Sequence, residues 1–288
     1  MTIPKGKLIA IGGNEDKYTD PEPNFRQHNN PHFFKLGILK RFISETEKGT
    51  DSNIEIITTA TGAPEELGET YFNAFAEIGC KNIGVLHIKE RSDSNDKNII
   101  KRLVECDGVM FTGGNQLRLS TVLGGTEALK VLQNRYLHDK FVIAGTSAGA
   151  MAMSNTMIYQ GSSTEALLKG EVKITTGLAF IKDVIIDSHF VKRGRFGRLA
   201  QAVALNPACL GIGLGEDTGV LITEGDKLET IGSGLVILFD GHNISYSNIS
   251  EIEEGTPISI RNLLVQVLAN RDCYSLNNRS FLPSATSE

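Results

Sequence analysis

The feature that most constrains this chain is a repeated unit: a short apolar run, a glycine or polar residue, then a helix-like stretch. Lys7–Ile11 (KLIAI) runs into Gly12-Gly13, Ile54–Ile57 into Thr58-Thr59, and Val109–Phe111 into Thr112-Gly113-Gly114. Phe141–Ala144 runs into Gly145 and Val184–Ile186 into Asp187, while Ile83–Leu86, Leu210–Leu214 and Gly219–Ile222 are further runs. Between them, Glu66–Ile78 carries Phe72, Phe75 and Ile78 at helical spacing. Apolar runs this short, separated by helical patterns, are the pattern of parallel strands covered on both faces. The class predicted is α/β. In an open parallel sheet, ligands bind beyond the carboxyl ends of the strands. The polar residues that follow Ile11, Phe111, Ala144 and Ile186 are therefore expected to converge there.

The last third differs. Leu228–Leu238, His242–Tyr246 and Thr256–Ile260 read as short strands, Arg261–Ala269 (RNLLVQVLA) reads as an amphipathic helix, and residues 275–288 read as a polar tail. No linker or internal repeat divides the 288 residues, so one domain is expected. A formal charge of −5 with no basic stripe speaks against a nucleic-acid partner. No stretch approaches the length of a membrane span. The four cysteines, Cys80, Cys106, Cys209 and Cys273, are isolated. In a chain of this length they read as reduced thiols in a cytoplasmic protein, without a disulfide framework or a metal site. No cofactor is implied.

The sharpest local pattern is Gly145-Thr146-Ser147-Ala148-Gly149, placed after the strand-like FVIA and before AMAMSN, which can be helical. Strand, G-x-S-x-G, helix is the nucleophile-elbow pattern. It turns a serine hydroxyl out of the sheet and offers helix N-terminal N–H groups to a developing oxyanion. The bland alternative is a glycine-rich turn with a serine cap. Of six histidines, His189 in VIIDSHF follows directly from an apolar run that ends at the rim expected for Ser147, which makes it the candidate base. Two carboxylates compete to orient it. Glu216 follows the run in GIGLGEDT, with Asp217 as its fallback, and Glu165 stands at an apparent helix start in GSSTEALL. The turn Thr112-Gly113-Gly114 is expected to add N–H groups, with that of Ala148, to an oxyanion hole. Nucleotide binding is weaker, because neither G-x-G-x-x-G nor a Lys-Ser/Thr pair is present. Lys192, Arg193, Arg195 and Arg198 follow His189 and would suit carboxylates.

Together, IGGNEDK, TGGNQLRL, AGTSAGA, GSSTE, DSHF, RGRFGR and GEDT resemble the cyanophycinase family. These serine hydrolases degrade a storage polymer, an aspartate backbone whose side chains carry arginine through isopeptide bonds. The dipeptidase E group belongs to the same peptidase family. The resemblance implies a class I glutamine amidotransferase-like α/β/α sandwich with a mostly parallel sheet, often homodimeric. It implies a serine-type exopeptidase that releases β-Asp-Arg dipeptides without a metal. Ser147 would be the nucleophile, His189 the base, and Glu216 the acid, with Glu165 as rival. Gly114 and Ala148 would serve the oxyanion. Gln116, Asp187, Ser188, Arg193, Arg195 and Arg198 would line the pocket. The family has glutamine where this chain has Ser188, so one polymer contact is expected to be lost or water-mediated. Two other readings stand beside this one: a dipeptidase E-like enzyme for Asp-X peptides, and a non-catalytic binding protein that keeps the fold.

Overall fold

The computed structural model describes residues 2–17 and 37–283; His28, His32 and the last five residues of the predicted tail lie outside them. In chain order the strands are β1 (Lys7–Ile11), β2 (Asn53–Ile57), β3 (Asn82–Leu86), β4 (Gly108–Phe111), β5 (Val142–Thr146), β6 (Thr156–Gln160), β7 (Lys173–Thr176), β8 (Val184–Asp187) and β9 (Leu210–Leu214). They continue with β10 (Thr218–Thr223), β11 (Lys227–Gly232), β12 (Val236–Asp240), β13 (Tyr246–Ser247), β14 (Ile260–Arg261), β15 (Leu264–Leu268), β16 (Cys273–Ser275) and β17 (Ser280–Leu282). The helices are α1 (Gly37–Glu45), α2 (Pro64–Ile78), α3 (Lys97–Glu105), α4 (Gln116–Leu123), α5 (Glu127–His138), α6 (Ala148–Met151) and α7 (Phe196–Leu205). None is long and apolar enough to cross a membrane.

The expected α/β class is what forms. The main sheet has the strand order β17-β16-β11-β10-β1-β5-β4-β2-β3. From β1 to β3 all neighbours are parallel; from β10 outward they are antiparallel. Strand alternation builds the layers. Leu8 and Ala10 of β1 enter one core with Leu103, Leu119, Leu123, Leu132 and Tyr136 from α3, α4 and α5. Ile9 and Ile11 enter the other with Leu39, Phe42, Tyr71 and Phe75 from α1 and α2. Local signals set the helix ends. Pro64 opens α2, and Gly79 closes it in the left-handed region at φ 101°. Asp96 caps α3 by accepting from the N–H groups of Asn98 and Ile99.

A second sheet, β15-β12-β9-β8, lies apart from the first. One of its faces, with Ile186, Ile212 and Leu238, shares the core of Leu8 and Ala10. The other, with Ile185 and Phe239, packs on Leu199 and Val203 of α7. The strand before His189 therefore does not extend the sheet that carries Ser147, as the run VIID suggested. It belongs to a smaller sheet whose carboxyl end reaches the same rim.

The C-terminal third corrects three expectations. Arg261–Ala269 is not a helix: Leu264–Leu268 is an edge strand antiparallel to β12. Short apolar runs are ambiguous between the two periods, and here pairing with β12 and the branched Val265 and Val267 favour the strand. Leu228–Leu238 breaks at Ser233-Gly234-Leu235 into β11 and β12, which lie in different sheets. The start of the predicted tail is ordered as the end of β16 and as β17, the outermost strands of the main sheet.

Candidate active site

β5 ends in Thr146, and Ser147 follows with φ 50° and ψ −109°, immediately before α6. Non-glycine residues rarely adopt such a backbone, and its appearance at a strand–helix junction is the nucleophile-elbow geometry. The flanking glycines answer to space. A Cβ at position 145 would lie 2.7 Å from the Gly149 carbonyl carbon, and one at 149 would lie 2.6 Å from the Phe111 oxygen.

Three consecutive carbonyls at the end of β1 organise the site. Ile11 O accepts from Ser147 N at 2.9 Å, Gly12 O from His189 N at 2.7 Å, and Gly13 O from Asp217 N at 3.0 Å. The three donors arrive from the ends of β5, β8 and β9. Each has a positive φ: 50° at Ser147, 45° at His189 and 46° at Asp217. Strained backbone of this kind persists only where its surroundings over-determine it; here the shared strand end supplies that constraint.

His189 Nδ1 lies 2.8 Å from Glu216 Oε1, and Lys192 Nζ lies 3.1 Å from Glu216 Oε2. Burial alone would raise the Glu216 carboxyl, but hydrogen bonds from His189 and Lys192 prevail and lower it. Glu216 is therefore an ionised acceptor, which makes Nδ1–H the donor and leaves Nε2 with its lone pair. The two partners pull in different directions. Glu216 favours the imidazolium, yet burial, aided by Arg193 and Arg195, lowers the His189 pKa. The desolvation and the two guanidinium charges outweigh one carboxylate, and the ring stays neutral near pH 7.

Glu165 is elsewhere in character. GSSTE does not start a helix: it forms an exposed turn in which Ser162 Oγ accepts from the N–H groups of Thr164 and Glu165. Asp217, the fallback, accepts from Ser233 Oγ at 2.5 Å rather than from His189.

The predicted pocket residues divide into two tiers. Asp187 is fully buried and held bidentately by Arg198, with Nε 2.8 Å from Oδ2 and Nη2 on Oδ1; Arg195 Nη1 adds a contact at 3.2 Å. Arg195 also donates to Ser188 O at 2.7 Å. Burial pushes the Arg195 pKa down to about 10, with Asp187 opposing and Arg198 reinforcing. Ser188 is 1% exposed, and its hydroxyl donates to Met151 Sδ at 3.3 Å. Arg193 is exposed. Gln116 Nε2 donates to Ile158 O at 2.9 Å from the first turn of α4. In the glycine turn, Thr112 N and Asn115 N have acceptors, whereas those of Gly113 and Gly114 have no backbone acceptor among the described residues. A Cβ at Gly113 would sit 3.5 Å from the Ser147 Cβ. Ala148 begins α6, where an N–H has no intrahelical acceptor.

Sequence reasoning missed Glu15. It is 3% exposed, accepts from Thr146 Oγ1 at 2.7 Å and from the Tyr71 hydroxyl, and pairs with Lys17 at 3.4 Å. Burial works to raise its carboxyl, but Lys17, Tyr71 and Thr146 together lower it. An ionised carboxylate thus fixes the residue before Ser147. The only signal was a glutamate two residues beyond a strand-end Gly-Gly in IGGNEDK.

Comparison with known proteins places the chain in a family. Residues 26–231 match peptidase family S51. The cyanophycinase of Synechococcus elongatus is 34% identical over 272 residues, covering 94% of this chain and 80% of that protein. The cyanophycinase of Geminocystis herdmanii is 34% identical over 281 residues, covering 98% and 97%. Among solved structures, a peptidase from an acI-B1 actinobacterium superposes with a TM-score of 0.63 at 18% identity, covering 96% of this chain and 98% of that one. This last likeness speaks to the fold alone. The chain belongs to peptidase family S51 and is a serine-type peptidase.

Proposed function

We propose that this enzyme degrades cyanophycin to β-Asp-Arg dipeptides through a Ser147–His189–Glu216 triad. The observation that carries the reading is His189, 2.8 Å from Glu216 through Nδ1 and hung from the carbonyl next to the one that holds Ser147. The 34% identity to proteins named cyanophycinase supplies the substrate class.

Ser147 Oγ attacks the backbone carbonyl carbon while His189 Nε2 takes its proton. The N–H groups of Ala148 and of the Gly113-Gly114 turn stabilise the oxyanion, each worth roughly 3–4 kcal/mol in comparable sites. The tetrahedral intermediate collapses, the C–N bond breaks, and the imidazolium returns its proton to the leaving amine. Water, deprotonated by the same histidine, then releases the acyl group. Gln116, Arg193 and Arg195 bound the substrate pocket, while the buried Asp187, paired with Arg198, holds Arg195 and the Ser188 backbone from below. Arg193 and Arg195 suit the free carboxylate that each repeat carries. Release proceeds as an exopeptidase.

The edge strand β15 leaves Leu264, Val265 and Val267 between 42% and 55% exposed. This supports a homodimer, which light scattering would test. The four free cysteines, three of them buried, suit a reducing cytoplasm.

The deciding experiment is incubation of the purified protein with cyanophycin and mass analysis of the soluble products. β-Asp-Arg from the wild type and none from Ser147→Ala supports the reading. Cleavage that persists in Ser147→Ala, or activity on Asp-X dipeptides with the polymer untouched, overturns it.

A further inference from the structure

Two strands away from Ser147 along the same rim, the segments after β2 and β3 enclose a cleft of about 320 Å³ lined by Thr58, Thr59, Thr61, His87, Lys89 and Arg118. The Thr58–Thr61 segment is shared with the site already described. Ala60 O accepts from Asn115 N at 2.9 Å, and a Cβ at Gly114 would lie 2.2 Å from that oxygen. One wall of the cleft is therefore the backing of the glycine turn beside the nucleophile.

Its chemistry is that of an anion site with unspent donors. Arg118 Nε donates to Thr59 O at 3.1 Å, which aims the guanidinium. Its two terminal nitrogens have no acceptor among the described residues. Thr59 Oγ1 is buried without a hydrogen-bond partner among the described residues, and the residue, 2% exposed, lines the cleft. Native proteins rarely leave such a group unpaired, and each instance calls for a missing partner. His87 Nδ1 shares a 2.8 Å hydrogen bond with Thr58 Oγ1, and Nε2 has no hydrogen-bond partner among the described residues. The one acid in the lining, Glu65, is paired with Lys89 at 3.0 Å.

We propose that this cleft is a second, carboxylate-binding subsite, which holds the free carboxylate of a substrate repeat several positions from the one being cleaved. The proposal rests on the polymer reading above. Neighbouring strands lie about 4.8 Å apart, so the cleft is about 10 Å from the nucleophile. An extended chain advances about 3.5 Å per residue, so roughly three repeats reach it. A planar guanidinium with two free N–H edges beside a buried hydroxyl fits one carboxylate.

The test is steady-state kinetics on synthetic β-Asp-Arg oligomers of two and of six repeats. Arg118→Gln is expected to raise KM for the six-repeat oligomer about tenfold, with kcat unchanged, as loss of one charged hydrogen-bonding group implies. The effect is expected to be confined to that length. Thr59→Val, which removes the orphan hydroxyl and keeps the shape, is expected to raise the same KM several-fold without lowering Tm. Equal changes at both lengths, or none, overturn the proposal. Calorimetry separates its failure from failure of the polymer reading. If the wild type cleaves neither oligomer, that reading falls. The six-repeat oligomer is then titrated into Ser147→Ala and into Ser147→Ala combined with Arg118→Gln. Weaker binding by the double variant upholds the cleft; equal binding, or no binding to either, overturns it.

Discussion

Gly13 lies directly against the His189 ring: a Cβ at position 13 would fall 2.5 Å from both Cε1 and Nε2, and the residue sits at φ 102°. The strand-end glycine therefore defines the space in which the imidazole rests. Gly13→Ala must displace the ring, the backbone, or both. It is expected to lower kcat about a hundredfold, the usual cost of misplacing a reacting group by about 1 Å. Far-UV circular dichroism should stay unchanged, and a variant of full activity would refute the assignment.

The two carboxylates make opposite forecasts. Glu216→Gln removes the charge that orients His189 and is expected to cost about 10³- to 10⁴-fold in kcat. Glu165→Gln alters an exposed turn and should change kcat less than about twofold. Reversal of this order would transfer the acid's role to Glu165.

The pH profile follows from the sign of the His189 shift. Burial, with Arg193 and Arg195, lowers its pKa, so the basic form survives further into acid than an ordinary imidazole would. The acid limb of kcat/KM is therefore expected below about 6.5. A limb above 7 would mean that Glu216 dominates the ring.

Asp187 supports its arginines by charge. Replacing it with asparagine leaves Arg198, 6% exposed, facing a neutral amide. Breaking a buried pair from one side costs about 3–5 kcal/mol. Asp187→Asn should lose that much in urea unfolding, and a loss under about 1 kcal/mol would mean that water reaches the guanidinium.

Asp217 should make stability depend on pH. Its carboxyl is pushed up to about 6, chiefly by burial, with Glu15 adding repulsion and Ser233 opposing. An unfolded aspartate titrates near 3.9, so the folded state holds this proton more tightly. The resulting stabilisation is fully present below about pH 4 and is lost as pH rises through about 6. Relative to Asp217→Asn, the wild type is expected to lose about 2–3 kcal/mol between pH 4 and pH 7. A difference that does not vary with pH would refute this.

Much of the fold was legible because fully buried parallel strands leave unbroken apolar runs: LIAI, VMF and FVIA each mark a strand of the main sheet. G-x-S-x-G was legible because steric crowding at an elbow selects glycine on both sides. What stayed hidden depends on distance along the chain. Glu15 meets Tyr71 and Thr146 across 56 and 131 residues, and no local spacing records either contact. The run VIID could not reveal which sheet would accept it. RNLLVQVLA suits a helix until β12 offers it an edge.

The hydrogen bonds accepted by the Ile11, Gly12 and Gly13 carbonyls give the site a common jig. The hydroxyl-bearing bend, the imidazole and the acid-bearing loop all hang on a single stretch of backbone, which sets their mutual spacing. One residue inserted between Ile11 and Asn14 would throw all three out of step at once, whereas a similar insertion in the Glu165 turn would leave them aligned.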